Sequence, residues 1–128
     1  MALRHHINVL VVDDMSTSRS LIAQALEKVG IQNVTLASDA KEALGQIIKA
    51  SVNLVISDFN MPDRDGLDLL QKIRSMPGGE KIAFILITGK TSPDIITRGK
   101  QLGMNNFVAK PFDVAQMRQA IEAVVGRI

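Results

Sequence analysis

Five short apolar runs alternate with five amphipathic segments along the whole chain. This alternation is the sequence signature of a parallel α/β sheet. The runs are Ile7 to Val12, Val34 to Ala37, Leu54 to Ile56, Ile82 to Ile87 and Phe107 to Ala109. They are apolar on consecutive residues instead of alternate ones, which predicts strands covered by helices on both faces. Between them, Leu21, Ile22, Ala25, Leu26 and Val29 recur at helical spacing and stop at Gly30. Ala40, Ala43, Leu44, Ile47 and Ile48 mark a second helix, opened by Asp39 and Glu42 in what resembles a capping box. A third helix follows from Leu67, Leu69, Leu70 and Ile73, and a fourth from Pro93 to Leu102 around Gly99. Val114, Met117, Ile121, Val124 and Val125 give the last helix one apolar stripe, with Asp113 placed to cap it. A chain of 128 residues supports one core. No linker, repeat or low-complexity stretch interrupts the alternation, so a single domain over residues 1–128 without an appended effector domain is expected.

Composition narrows the function. The chain has no cysteine, which excludes a disulfide framework, a thiolate metal site and a cysteine nucleophile, and makes the cytoplasm the default compartment. The apolar stretch Ile82 to Ile87 is far short of the roughly 20 residues that a membrane helix needs, so no membrane span is expected. Residues 1–69 carry a net charge of −3 and residues 70–128 one of +5. That asymmetry predicts an acidic site on one half and a basic interaction surface on the other. The basic residues are scattered and aromatics are 3% of the chain, which argues against nucleic acid as the partner.

In open parallel sheets, ligands bind outside the carboxyl ends of the strands, so the residues there carry most of the functional information. The first strand ends in Asp13 and Asp14, the third leads to Asp58, the fourth to Thr88, and the fifth to Lys110 and Pro111. Taken alone, Asp13 or Asp14 would be read as a helix cap and Lys110 as a solvated charge. Their conjunction at four strand ends predicts one crevice. Like charges about 4 Å apart repel by about 4 kcal/mol at an effective dielectric near 20, so Asp13, Asp14 and Asp58 need a counter-ion. Lys110 offsets one charge, and a divalent cation would neutralise the rest. Carboxylates plus retained waters suit Mg²⁺. His5 and His6 precede the first strand and are read as surface residues.

The pattern Val11-Val12-Asp13-Asp14, then Asp58-Phe59-Asn60-Met61-Pro62 with Asp65-Gly66, then Thr88-Gly89, then Lys110-Pro111-Phe112 resembles the receiver domain of two-component response regulators. The resemblance covers roughly residues 7 to 126, and the runs Asp14 to Arg19 and Ser57 to Pro62 are similar in particular to single-domain chemotaxis regulators. It implies a flavodoxin-like, doubly wound sheet of five parallel strands in the order 2-1-3-4-5 with five helices. It implies further that Asp58 is the phosphoacceptor for a histidine kinase or a small phosphodonor. Asp13, Asp14, Asp58 and the backbone carbonyl of Asn60 would hold Mg²⁺, Lys110 would neutralise phosphoryl oxygens, and Thr88 would close on the new phosphate. Thr88 and Phe107 would form the switch, with Asn60, Gly89 and Lys90 tuning phosphoryl lifetime. Lys110-Pro111 would be a cis peptide. Lys90, Lys100, Phe107 and Arg118 would lie on the output surface.

Two positions depart from the best-known relatives: Phe107 lacks the hydroxyl of a common Tyr, and Lys90 replaces an acid. The implied protein is not an enzyme with a separate substrate, although it catalyses its own phosphorylation and autodephosphorylation. It is expected to act as a cytoplasmic monomer that binds the flagellar motor switch, serves as a phosphate sink, or relays phosphate to another histidine protein. A phosphatase of the haloacid-dehalogenase type shares the Asp nucleophile and Mg²⁺, but it needs an acid two residues after the nucleophile. This chain has Asn60 there.

Overall fold

A computed structural model describes residues 6–61, 65–89 and 92–126. The elements in chain order are β1 (Asn8–Val12), α1 (Ser16–Val29), β2 (Asn33–Ala37), α2 (Ala40–Lys49), β3 (Leu54–Asp58) and α3 (Gly66–Ser75). After a single 3₁₀ turn at Gly79–Lys81 come β4 (Ala83–Thr88), α4 (Pro93–Gln101), β5 (Asn106–Ala109) and α5 (Val114–Val125). All strand pairs are parallel, in the order β2-β1-β3-β4-β5. The sheet and its five helices are those the sequence implies. No helix among the described residues is long and apolar enough to cross a membrane.

Alternate strand residues feed two cores. Val9, Val11, Leu54, Ile56, Ile85 and Ile87 meet α1 and α5 on one face. Leu10, Val12, Val55, Phe84 and Leu86 meet α2 and α3 on the other, where Ile95 and Leu102 of the α4 region also pack. Each fully buried side chain of this size stabilises the fold by roughly 1.5–3 kcal/mol, so the three central strands anchor the site at their ends.

Expectation and structure part at the rim. β2 is an edge strand, and Thr35 and Leu36 are exposed, so its apolar run is not covered on both faces. Leu21 and Ile48, placed in the core stripes of α1 and α2 by spacing, are 56% and 75% exposed. Both sit at the margin of their stripe, one step beyond the arc that faces the sheet. Asp39 does cap α2, accepting from the Glu42 N–H at 2.7 Å, but the Glu42 carboxylate turns to the Ser38 hydroxyl, so the reciprocal half of the box is not made. Asp113 and Gln116 form a complete box on α5, as do Asp65 and Asp68 on α3. α4 starts on Ser92 with Pro93 in its first turn. It tolerates Gly99 because a Cβ there would lie 2.7 Å from Met104 Sδ.

Candidate phosphoryl and metal site

The site is assembled where β1 and β3, neighbours in the sheet, send their connections to opposite faces. Asp13 follows β1 and is fully buried, Asp58 ends β3 at 5% exposure, and Asp14 is exposed at the mouth. One carboxylate oxygen from each of the three lies within 4.8 Å of the others. Neither Asp13 nor Asp14 caps α1. Its N-cap is Met15, without a side-chain cap. Asp13 Oδ1 instead accepts from the Met15 N–H at 3.0 Å, and Arg19 donates to the Asp13 carbonyl at 2.7 Å, which pins the β1–α1 connection.

The second oxygen, Asp13 Oδ2, is buried with no hydrogen-bond partner. A buried carboxylate oxygen without a partner costs free energy that a hard cation removes. An all-oxygen donor set of three carboxylates open to solvent on the Asp14 side suits Mg²⁺, which keeps several waters. The residues present therefore fit the ion that the sequence reading calls for.

Lys110 enters from β5, with its Nζ 2.6 Å from Asp58 Oδ1. The peptide Lys110-Pro111 is cis, as expected. The Lys110 N–H donates to the Thr88 carbonyl at 2.9 Å, which ties the fifth strand end to the fourth. Burial pushes the Asp58 carboxyl above the ordinary carboxylate value; the Lys110 ammonium pulls the other way, the Asp13 charge adds to the rise, and a backbone hydrogen bond from Asn60 opposes it. Desolvation outweighs the ion pair, so the protein keeps a carboxylate that is short of positive charge.

Thr88 is buried at 1% exposure, and a Cβ added at Gly89 would meet no atom within 4 Å, so there is open space next to the strand end. Phe107 is half-buried on β5 against the α3 side of the core. Lys100 on α4 and Arg118 on α5 are exposed, and Arg118 contacts Glu122 at 3.4 Å. Lys90, Pro62 and His5 lie outside the described residues. The structure thus brings Asp13, Asp14, Asp58, Lys110 and the Asn60 backbone together, while Lys100 and Arg118 stand apart on the α4 and α5 surface. Arg19 was missed by sequence reasoning, since nothing in a helix's first turns marks a charge that reaches back to a carbonyl.

This arrangement of acids and an amine on a 2-1-3-4-5 sheet defines a class. The sequence profile of the response regulator receiver domain matches residues 9–122, and the chain belongs to that family. Within it the chain is CheY-like. It is 42% identical over 128 residues to the probable chemotaxis protein CheY of Rhizobium etli, covering 100% of this chain and 99% of that protein. It is 30% identical over 126 residues to chemotaxis protein CheY-3 of Vibrio cholerae, covering 98% and 97%. The crystallised chemotaxis protein CheY4 of Vibrio cholerae superimposes with a TM-score of 0.87 at 29% identity, over 93% of this chain and 98% of that one. The chain is therefore a receiver domain of the chemotaxis response-regulator kind.

Proposed function

We propose that Asp58 takes a phosphoryl group from a histidine of a partner kinase, or from a small phosphodonor, and that the modified protein signals by binding another protein. The carrying observation is the Lys110 ammonium 2.6 Å from Asp58 Oδ1, beside Asp13 and Asp14 oxygens within 4.8 Å. An oxygen of Asp58 attacks phosphorus, the P–N bond to the donor imidazole breaks, and its electron pair returns to the ring nitrogen, which takes up a proton. Asp13, Asp14, Asp58 and the Asn60 carbonyl would hold Mg²⁺, which when bound supplies charge neutralisation at the phosphoryl oxygens. Lys110 supplies the second cation and keeps Asp58 oriented. In the reverse sense, water attacks phosphorus and the acyl phosphate P–O bond breaks, which returns Asp58 as carboxylate. The protein is thus its own substrate and turns over no other.

Modification replaces one negative charge by about two at a strand end that is almost fully buried. Thr88, buried at the next strand end, would donate to the added oxygens. Its displacement frees room toward which Phe107 can turn, biasing the surface of α4, β5 and α5. The kind of target is a flagellar motor switch protein, with phosphate sink and phosphorelay as alternative uses of the same chemistry. A phosphatase of the haloacid-dehalogenase type is disfavoured by Asn60, exposed where that chemistry needs an acid.

The test is transfer of labelled phosphoryl from acetyl phosphate. Label should appear on wild-type protein with Mg²⁺, vanish with chelator, and be absent from Asp58→Asn. Undiminished labelling of that variant overturns the proposal.

A further inference from the structure

A second polar group holds the amine at this site. The Lys110 ammonium, 2.6 Å from Asp58 Oδ1, is also 3.2 Å from Ser18 Oγ. Ser18 is the third residue of α1, and Asp58 is the last of β3, so the two acceptors approach Lys110 from separate elements. We propose that Ser18 is a positioning residue for phosphoryl transfer, acting through Lys110; the role rests on the phosphoacceptor reading of Asp58.

An ammonium on a four-carbon stem has three N–H donors and little directional preference of its own. With one donor on Asp58 and one on Ser18, the direction of the third is fixed. That donor is the one left for an oxygen of the incoming group. The Lys110 side chain is 32% exposed, so water competes for it and a single ion pair would leave its position loosely defined. The hydroxyl of Ser18 restricts that motion without adding charge beside an anion.

Packing does not demand a hydroxyl at this position. Ser18 and Lys110 open into a groove of about 570 Å³ between α1 and the β5–α5 connection, walled in part by Leu21, Phe112 and Val114. A methyl group would be compatible with those walls, and Ala is a better helix former than Ser. Ser18→Ala therefore removes the hydrogen bond without opening the core or weakening α1, and Ser18→Thr restores the hydroxyl.

The experiment measures initial rates of labelling by acetyl phosphate in Mg²⁺ for wild type, Ser18→Ala, Ser18→Thr, Lys110→Ala and the double variant Ser18→Ala/Lys110→Ala. Loss of one long, partly solvent-exposed hydrogen bond of ordinary strength predicts labelling slowed about three- to tenfold in Ser18→Ala. Ser18→Thr should recover most of the rate, and the double variant should match Lys110→Ala. A second readout needs neither metal nor phosphate: the ¹H–¹⁵N signal of the Lys110 ammonium, visible when its protons are held, should exchange faster with water in Ser18→Ala. An unchanged rate and unchanged exchange in Ser18→Ala, or losses that add in the double variant, overturn the role while leaving Asp58 as phosphoacceptor. Wild type that accepts no label overturns the phosphoacceptor reading and this role with it.

Discussion

Gly66 packs against the backbone of Asp58 so closely that a Cβ built on it would lie 2.6 Å from the Asp58 carbonyl oxygen and 2.8 Å from Leu86 Cδ1. The Gly66 N–H also donates to the Phe59 carbonyl at 2.8 Å, so the first turn of α3 is fastened to the strand end that carries Asp58. The requirement here is close approach, not an unusual backbone angle.

Gly66→Ala should therefore do more than crowd α3. One methyl forced against backbone costs about 1–3 kcal/mol, because a carbonyl cannot swing aside as a side chain can. Chemical denaturation should show that loss, and labelling of Asp58 should slow as its carbonyl is displaced. Wild-type stability in the variant would mean that α3 sits farther from β3 than the structure has it.

The raised ionisation of Asp58 gives a signed prediction. A carboxyl held above its ordinary value binds protons more tightly folded than unfolded, so stability falls as pH rises from the ordinary carboxylate range through the raised value. Below that range the penalty is absent; above it the penalty is complete. Asp58→Asn, studied in chelator, should thus be more stable than wild type near neutral pH, with the advantage shrinking as the solution is acidified. Urea midpoints across pH read this directly, and an advantage that grows toward acid would show that the Lys110 pair outweighs burial.

Arg74, near the end of α3, joins three parts of the fold. One guanidinium nitrogen donates to the carbonyls of Gly79 and Ile82 at 2.6 and 2.7 Å, and the other to the Gly103 carbonyl at 2.8 Å and Asn105 Oδ1 at 3.2 Å. Burial lowers its ionisation, with the Glu80 charge opposing. Arg74→Ala should cost about 2 kcal/mol. Arg74→Lys should recover little of it, since a point charge cannot span acceptors in that fork. Thermal unfolding of the two variants checks this; a fully rescuing Lys would reduce the interaction to bulk charge.

The sequence exposes some of these features and hides others for physical reasons. Asp13, Asp58, Thr88 and Lys110 were legible because parallel strands read as apolar runs and the residue after each run has one place to go. Edge position was not legible: the run Val34 to Ala37 resembles the central strands, yet β2 leaves Leu36 43% exposed. Whether a short apolar run is covered depends on its place in the sheet, which local pattern does not encode. Ser18, Arg19 and Arg74 were hidden because each is an ordinary helix residue in sequence. Their hydrogen-bond partners lie on the β1–α1 connection, just after β5 or beyond α3, and only the folded distances reveal them. The proposed output residues Lys100 and Arg118 could be placed on a surface, but their charge pattern names no partner by itself.

A shallow groove of about 360 Å³ beside β5 is lined in part by Phe107, Gln116, Gln119 and Ala120, and Lys100 on α4 and Arg118 on α5 are exposed on the half of the chain that carries the surplus of five positive charges. Arg118 is 51% exposed, so its contact with Glu122 adds little and its charge remains available to a partner. An acidic amphipathic segment of a target protein should therefore bind the phosphorylated form more tightly. Reversing either charge, as Lys100→Glu or Arg118→Glu, should weaken that complex by about three- to tenfold at low salt. The loss should shrink at about 0.5 M salt, where the screening length falls to a few ångströms. Calorimetric titration of beryllofluoride-treated protein against such a segment measures both dependences. Affinity that ignores salt and both reversals would move the target-binding face away from α4 and α5.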